Sequence, residues 1–447
     1  MAGVMVYLAG VSSVRATDPA SVQASSSAPR RILLVDADAF FVAVARQEDP
    51  EGAGRAELLI VGGRPGSRGV VCSASYECRA YGVRSAMPIG RAIKLCPDAL
   101  CVPVPRRACS RRSREIQAVL ARFAPVVQAS SIDEWYCDMG GTEAMYHHEP
   151  LAVTAERIRT AVREATGLSV SIGGGTSRLV AKIAVERAKP KPGTGATGVH
   201  CVEPGDEATF LAPFRLGDLP MVGPRFASDL ERIGLYTVAD AQRTELSTLV
   251  SRLGERSGTW LHRRVHGVDD SIVSSRDVQK QVSREDTFAH DLHDEASIER
   301  ELLRLAVRVS ADLREGSLRA RTVTVKLRDS DFKTRSAQRT LSRPIESERS
   351  VLRVAAPLLR MLRARRRVGV RLLGIALSHF EDDTRPGPSQ LTLFAPEPAA
   401  PTEDPVETPK DRALTQALDR IRGRFGKSAI LPASLVEPVD TGPRVEE

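Results

Sequence analysis

Apolar positions recur with two periods along this chain, and the switches between them outline its elements. Ile32–Val35 is a short apolar run closing on Asp36, the pattern of a buried strand, and Phe40–Gln47 continues as a helix. Leu58–Val61 and Gly69–Ala74 read as strands parted by the turn sequence Gly62-Gly63-Arg64-Pro65-Gly66. Tyr76–Tyr81 makes one helical turn ended by Gly82, and Met87-Pro88 opens a helix over Ile89–Leu95 that Pro97 stops. Ser110–Phe123 and Leu151–Thr166 have helical spacing, and Val126–Asp138 between them reads as a hairpin strand pair. Leu168–Ile172 is a strand, Gly173–Gly175 a tight strand-to-helix turn, and Arg178–Ala188 a helix. This alternation predicts an α/β sheet with helices on one face.

The texture changes after Lys189–Gly193. Phe210–Gly267 reads as short helices, and polar Asp269–Lys280 as a linker. An α/β pattern returns from Arg284, with helices at Ser297–Arg314 and Glu348–Arg363 and strands at Thr322–Arg328, Ser336–Ser342 and Val370–Leu377. Beyond Glu381 the composition is that of a disordered tail, with one island, Asp411–Phe425, able to form a helix. Residues 1–29 read as a loose leader without a basic signal-peptide region.

With 447 residues, 42% of them hydrophobic, the chain can build several domains. Its net charge is +8; the stretch from Ala395 holds seven basic and ten acidic residues, which leaves +11 on residues 1–394. A basic folded part with an acidic tail favours a polyanionic partner, although a general bias toward arginine explains part of it. The seven cysteines show no C-x₂-C spacing, so zinc is not expected and reduced thiols in the cytoplasm are. No apolar run is long enough to span a membrane.

Candidate chemistry begins with acids at strand ends. Asp36 closes the first strand, and Asp133 and Glu134 lie about a hundred residues later inside the hairpin. Alone, Asp36 could be a helix cap and the pair could be turn acids. Together they are read as meeting in space to hold a pair of Mg²⁺ ions, which take oxygen ligands, for nucleotidyl transfer. Tyr76 and Arg79 share a helical face and could grip phosphate, and Lys189, at a helix end, could add a point charge. An aromatic after Asp36, among Phe40-Phe41, could exclude a 2′-hydroxyl by bulk, or both rings could be core.

Four stretches carry a resemblance. Val35–Phe41, Ser75–Pro88, Ser131–Glu134 and Ala181–Ala184 through Ala188-Lys189-Pro190 are similar to the Y-family DNA polymerases, of the bacterial polymerase IV type, in order from about Arg31 to Phe394. The resemblance implies an α+β right-hand polymerase: a palm (30–39 and 106–194), fingers (40–105), a helical thumb (195–268), a linker (269–283) and a separate α/β little finger (284–381). It implies a low-fidelity translesion enzyme working in DNA repair, a monomer in the cytoplasm near the nucleoid. Asp36, Asp133 and Glu134 would hold two Mg²⁺ ions with the carbonyl of Ala37, with Glu134 in the usual active-site position and Asp38 only structural. Phe41 would be the steric gate. Tyr76, Arg79, Lys189 and backbone N–H groups near Phe40 and Phe41 would bind the deoxynucleoside triphosphate.

Primer–template DNA would be held by the hairpin at Leu219–Pro224, through Gly223, and by Thr334, Arg335, Ser336 and Arg339 of a little-finger strand, where Arg335 and Arg339 share a face. Met221 stands where relatives have glycine, and Arg178 where many have lysine. The cluster Arg363, Arg365, Arg366 and Arg367 adds charge or is simply a solvated helix end. Gln390-Leu391-Thr392-Leu393-Phe394 resembles the pentapeptide that docks on the sliding clamp. The rival readings are a catalytically silent, clamp-tethered DNA-binding scaffold and an untemplated nucleotidyl transferase.

Overall fold

The computed structural model describes residues 29–190, 195–275, 279–381, 406–426 and 429–435. Residues 1–28 of the expected leader (1–29) and the clamp-like pentapeptide 390–394 lie outside them. The described residues fall into two compact units, one up to residue 275 and one from residue 279 onward.

In chain order, the first unit opens with β1 (Ile32–Ala37), α1 (Phe40–Glu48), β2 (Leu59–Gly62), β3 (Val71–Ala74), α2 (Tyr76–Ala80), α3 (Ile89–Leu95) and β4 (Leu100–Val102). It continues with α4 (Arg106–Leu120), β5 (Val126–Ala129), β6 (Glu134–Asp138), α5 (Leu151–Thr166), β7 (Val170–Gly175), α6 (Arg178–Ala188) and β8 (Val199–Cys201). Its last helices are α7 (Glu207–Leu211), α8 (Pro224–Arg232), α9 (Val238–Gln242), α10 (Leu246–Leu253) and α11 (Glu255–Val265). The second unit holds β9 (Gln281–Leu292), α12 (Glu295–Glu315), β10 (Arg319–Asp329), β11 (Thr334–Ile345), α13 (Glu348–Ala364), β12 (Val370–Glu381) and α14 (Pro409–Phe425).

A five-stranded sheet ordered β5-β6-β1-β7-β8 forms the larger core of the first unit. All six residues of central β1 are buried. Leu33 and Val35 join a cluster with α4 and α5, whereas Ile32 and Leu34 pack with Ala181 and Val185 of α6. Helices therefore cover both faces rather than one, which is why this strand reads as an unbroken apolar run. Gly173–Gly175 lie inside β7, not in a turn. A Cβ on Gly173 would stand 2.2 Å from the Val185 nitrogen, so glycine here lets the α6 backbone approach the sheet. The turn itself is Thr176-Ser177, and Ser177 caps α6 by accepting the Val180 N–H.

A second, three-stranded sheet, β3-β2-β4, backs α2 and α3. The stretch read as a linker is anchored along residues 269–275. Arg30 donates to the carbonyls of Asp269 and Ser271, Arg178 donates to that of Ile272, and Val273 is buried beside Tyr136. The Arg178 guanidinium also lies 4.2 Å from the Tyr136 ring centroid.

In the second unit an antiparallel sheet, β11-β10-β12-β9, is covered on one face by α12 and α13. The expected tail helix is present as α14, and it docks on this unit. Asp419 takes two bonds from Arg314, at 2.6 and 2.9 Å, and Asp411 is 2.8 Å from Arg353. The Glu407 carboxylate accepts the N–H groups of Glu346 and Ser347, the latter the N-cap of α13.

Asp411→Ala is expected to weaken α14 docking by about 1–3 kcal/mol, seen as faster hydrogen exchange over 409–425 and not in the sheet. Acid should act likewise. Burial would raise the Asp411 carboxyl, but Arg353 and Thr408 outweigh it and hold the group at about 2. Its stabilisation is then complete above the ordinary carboxyl value near ~4 and lost as pH falls through that lowered value.

Candidate active site

The strand register brings the distant acids together. Asp36, near the end of β1, lies opposite Glu134, the first residue of antiparallel β6. Asp133 occupies the bend just before β6, where strand alternation no longer dictates its direction, and its carbonyl accepts the Ala37 N–H at 2.9 Å. Three carboxylates and the Ala37 backbone therefore share one corner of the central sheet.

Two lysines enter this corner, Lys182 of α6 and Lys189, the C-cap of that helix. Lys182 pairs with Glu134, and Lys189 lies 3.0 Å from Asp36 Oδ2 and 2.6 Å from Glu186. Burial pushes the Asp36 carboxyl up to about 7 against the pull of Lys189. Burial alone would lower Lys189, but Asp36 and Glu186 hold it above the usual lysine range. Lys182 was not singled out as functional from sequence. Its signal is the seven-residue spacing from Lys189, two turns along one helical face.

Among the described residues no three His, Cys, Asp or Glu side chains close into a ready-made metal cage. Two of the three acids are instead engaged by lysines, Glu134 by Lys182 and Asp36 by Lys189. The donor set still suits Mg²⁺: hard oxygens at neighbouring strand ends, in a corner that already collects positive charge.

The aromatic pair divides. Phe40 is buried in the core, whereas Phe41 is half-buried with its ring edge-on to Phe40 at 5.5 Å. Both sit at the start of α1, which no side chain caps; the Ala39 carbonyl takes the N–H groups of Val42 and Ala43, and those of Phe40 and Phe41 precede the helix ladder. Asp38 accepts hydrogen bonds from Ser169 and Ser171. Ser75 caps α2, which holds Tyr76 and Arg79 on one face, and the Arg79 guanidinium lies 4.8 Å from the Tyr76 ring centroid. Burial raises the Tyr76 phenol, and Asp38, Arg79, Lys189 and Asp36 all lie close enough to influence it. Tyr76, Asp38, Ala39 and Pro190 line a cleft of about 280 Å³. The phosphate-gripping candidates thus gather beside the acids.

Gly223 is the N-cap of α8 at the end of the expected hairpin. Met221 adopts φ 74° and is 78% exposed. A side chain in the left-handed region is strained, so Met221→Gly should stabilise this unit by roughly 0.5–1 kcal/mol, measured by denaturation.

On β11, Thr334 and Ser336 are exposed, as is Arg339. Arg335 differs from expectation: it turns to the helix-covered side, binding fully buried Asp329 at 2.9 Å and the Leu362 carbonyl of α13. Two members of the arginine cluster are also structural, Arg363 pairing with Glu295 and Arg366 with Asp329 and Asp331. No helix among the described residues is long and apolar enough to cross a membrane.

The sequence profile of the impB/mucB/samB family matches residues 35–186, and that of its C-terminal domain residues 279–393. A profile described as the thumb domain of DNA polymerase iota matches residues 217–269. The chain is 36% identical over 399 residues to a DNA polymerase IV of Caulobacter vibrioides, covering 89% of this chain and 92% of the relative. It is 39% identical over 355 residues to a DNA polymerase IV of Methanoculleus marisnigri, covering 79% and 95%. Among solved structures, a Y-family DNA polymerase chimera shares the fold with TM-score 0.68 at 24% identity, over 78% of this chain and 98% of that one. Family profiles in chain order and near-full-length relatives agree: the chain belongs to the Y-family DNA polymerases, of the DNA polymerase IV type.

Proposed function

We propose that this DNA-directed DNA polymerase performs translesion synthesis, adding deoxynucleotides to a primer 3′-hydroxyl by two-metal nucleotidyl transfer. The observation that carries this reading is the meeting of Asp36, Asp133 and Glu134 at one sheet corner. With the Ala37 carbonyl, they would hold a pair of Mg²⁺ ions, which activate the hydroxyl and neutralise the triphosphate. Tyr76 and Arg79 grip phosphate oxygens from α2, and Lys189 moves from Asp36 to the triphosphate as the nucleotide enters. The open N–H groups at the start of α1 add a partial positive charge for the same anion. Phe41 blocks the 2′ position of the sugar while Phe40 anchors the helix in the core.

Gly223 at the thumb hairpin and the exposed edge of β11 track DNA phosphates, and Gln390–Phe394 recruit the protein to a sliding clamp. A monomer in the cytoplasm fits these roles. The scaffold alternative is disfavoured because all three acids are present and share one corner. Primer extension with Mg²⁺ on damaged and undamaged templates tests the reading; failure on both, with DNA still bound, would leave the scaffold.

A further inference from the structure

The turn between β10 and β11 displays an aromatic ring in a way the polymerase reading leaves unexplained. Phe332 has φ 66°, a left-handed conformation disfavoured for a bulky residue, and is 64% exposed. Its turn is nevertheless firmly built. Buried Asp329 binds Arg335 at 2.9 Å and Arg366 at 3.0 Å, and Arg366 also grips both oxygens of Asp331. The Phe332 N–H donates to the Asp329 carbonyl, and the Asp329 N–H donates to the Lys333 carbonyl, each at 2.9 Å. Burying a carboxylate such as Asp329 is unfavourable unless it is paired, and here two guanidiniums pair it. This network fixes a strained turn whose outward result is a ring held in solvent. The Arg371 guanidinium lies 4.5 Å from the ring centroid and covers one face, and the Lys333 side chain beside it is 71% exposed. Strain that a surrounding network maintains points to a use.

We propose that Phe332 is a stacking platform for an unpaired nucleobase of a DNA single strand. The base lies on the ring face that Arg371 does not cover, and Lys333 offers its charge to a neighbouring phosphate. Stacking on a π-face tolerates any base, so the site would accept damaged and undamaged bases alike. The inference rests on the polymerase reading for its ligand, DNA.

The test uses the full chain and fluorescence anisotropy on two DNAs of equal duplex length, one with a single-stranded template overhang and one blunt. Phe332→Ala should weaken overhang binding about tenfold and leave blunt-duplex binding unchanged, and Phe332→Trp should restore it. Phe332→Gly removes the strain; it should match the alanine variant in binding while melting higher than the wild type, which separates lost stacking from lost folding. Equal losses on both DNAs, or none, in a protein that still extends primers would overturn this proposal alone. A wild-type protein that extends no primer would overturn the polymerase reading instead.

Discussion

Replacing Asp133 with Asn should abolish primer extension, by roughly a thousandfold or more, while DNA binding and melting temperature stay as in the wild type. The two outcomes separate because of where Asp133 sits. It occupies a bend, half-buried, and its fixed contribution to the fold is a backbone carbonyl bonded to the Ala37 N–H, which the substitution keeps. Its side chain accepts from Ser131 Oγ, a bond an amide oxygen can also take. What is lost is one negative charge in a corner where two lysines already answer two others. Single-turnover extension, with anisotropy for DNA affinity, reads both effects. Wild-type extension by this variant would remove Asp133 from the metal set.

Truncating Phe41 to Ala should raise ribonucleotide use relative to deoxyribonucleotide use. A forced steric overlap costs about 1–3 kcal/mol, so the ratio should rise roughly ten- to a hundredfold. The Phe41 ring packs against the core yet keeps exposed surface to meet a sugar, whereas Phe40 is buried in the cluster that holds Val44, Trp135 and Val170. Phe40→Ala should instead open a cavity and lower stability by about 3–5 kcal/mol. The measurement is the ratio of kcat/KM for matched ribo- and deoxyribonucleotides; a ratio equal to that of the wild type would place the gate elsewhere.

Much of this was legible in the residues. The acids at strand ends and the helices that became α12 and α13 follow from local pattern, because burial imposes periodicity. What escaped depends on distant partners. β9 reads as polar because Val282 is the one apolar residue its first half buries, beside Asp286, which is buried against Arg308; pairing with β12 makes it a strand. Gly173 looks like part of a turn, but its reason is the backbone of the following helix at Val185. The Arg335–Arg339 alternation shows which residues share a side of β11, yet only the packing of α13 decides which side is covered. Residues 269–275 look like a linker because they are held through backbone carbonyls, which composition does not reveal.

The docking of α14 bears on how this protein can be shortened. Ending the chain after Phe394 would take away Glu407, and with it the acceptor for two N–H groups where α13 begins, and would deprive Arg314 of Asp419 and Arg353 of Asp411. Since α13 packs behind β10 and β11, a trimmed protein would disturb the little finger from its covered side, and any defect in DNA handling would be wrongly blamed on the missing tail.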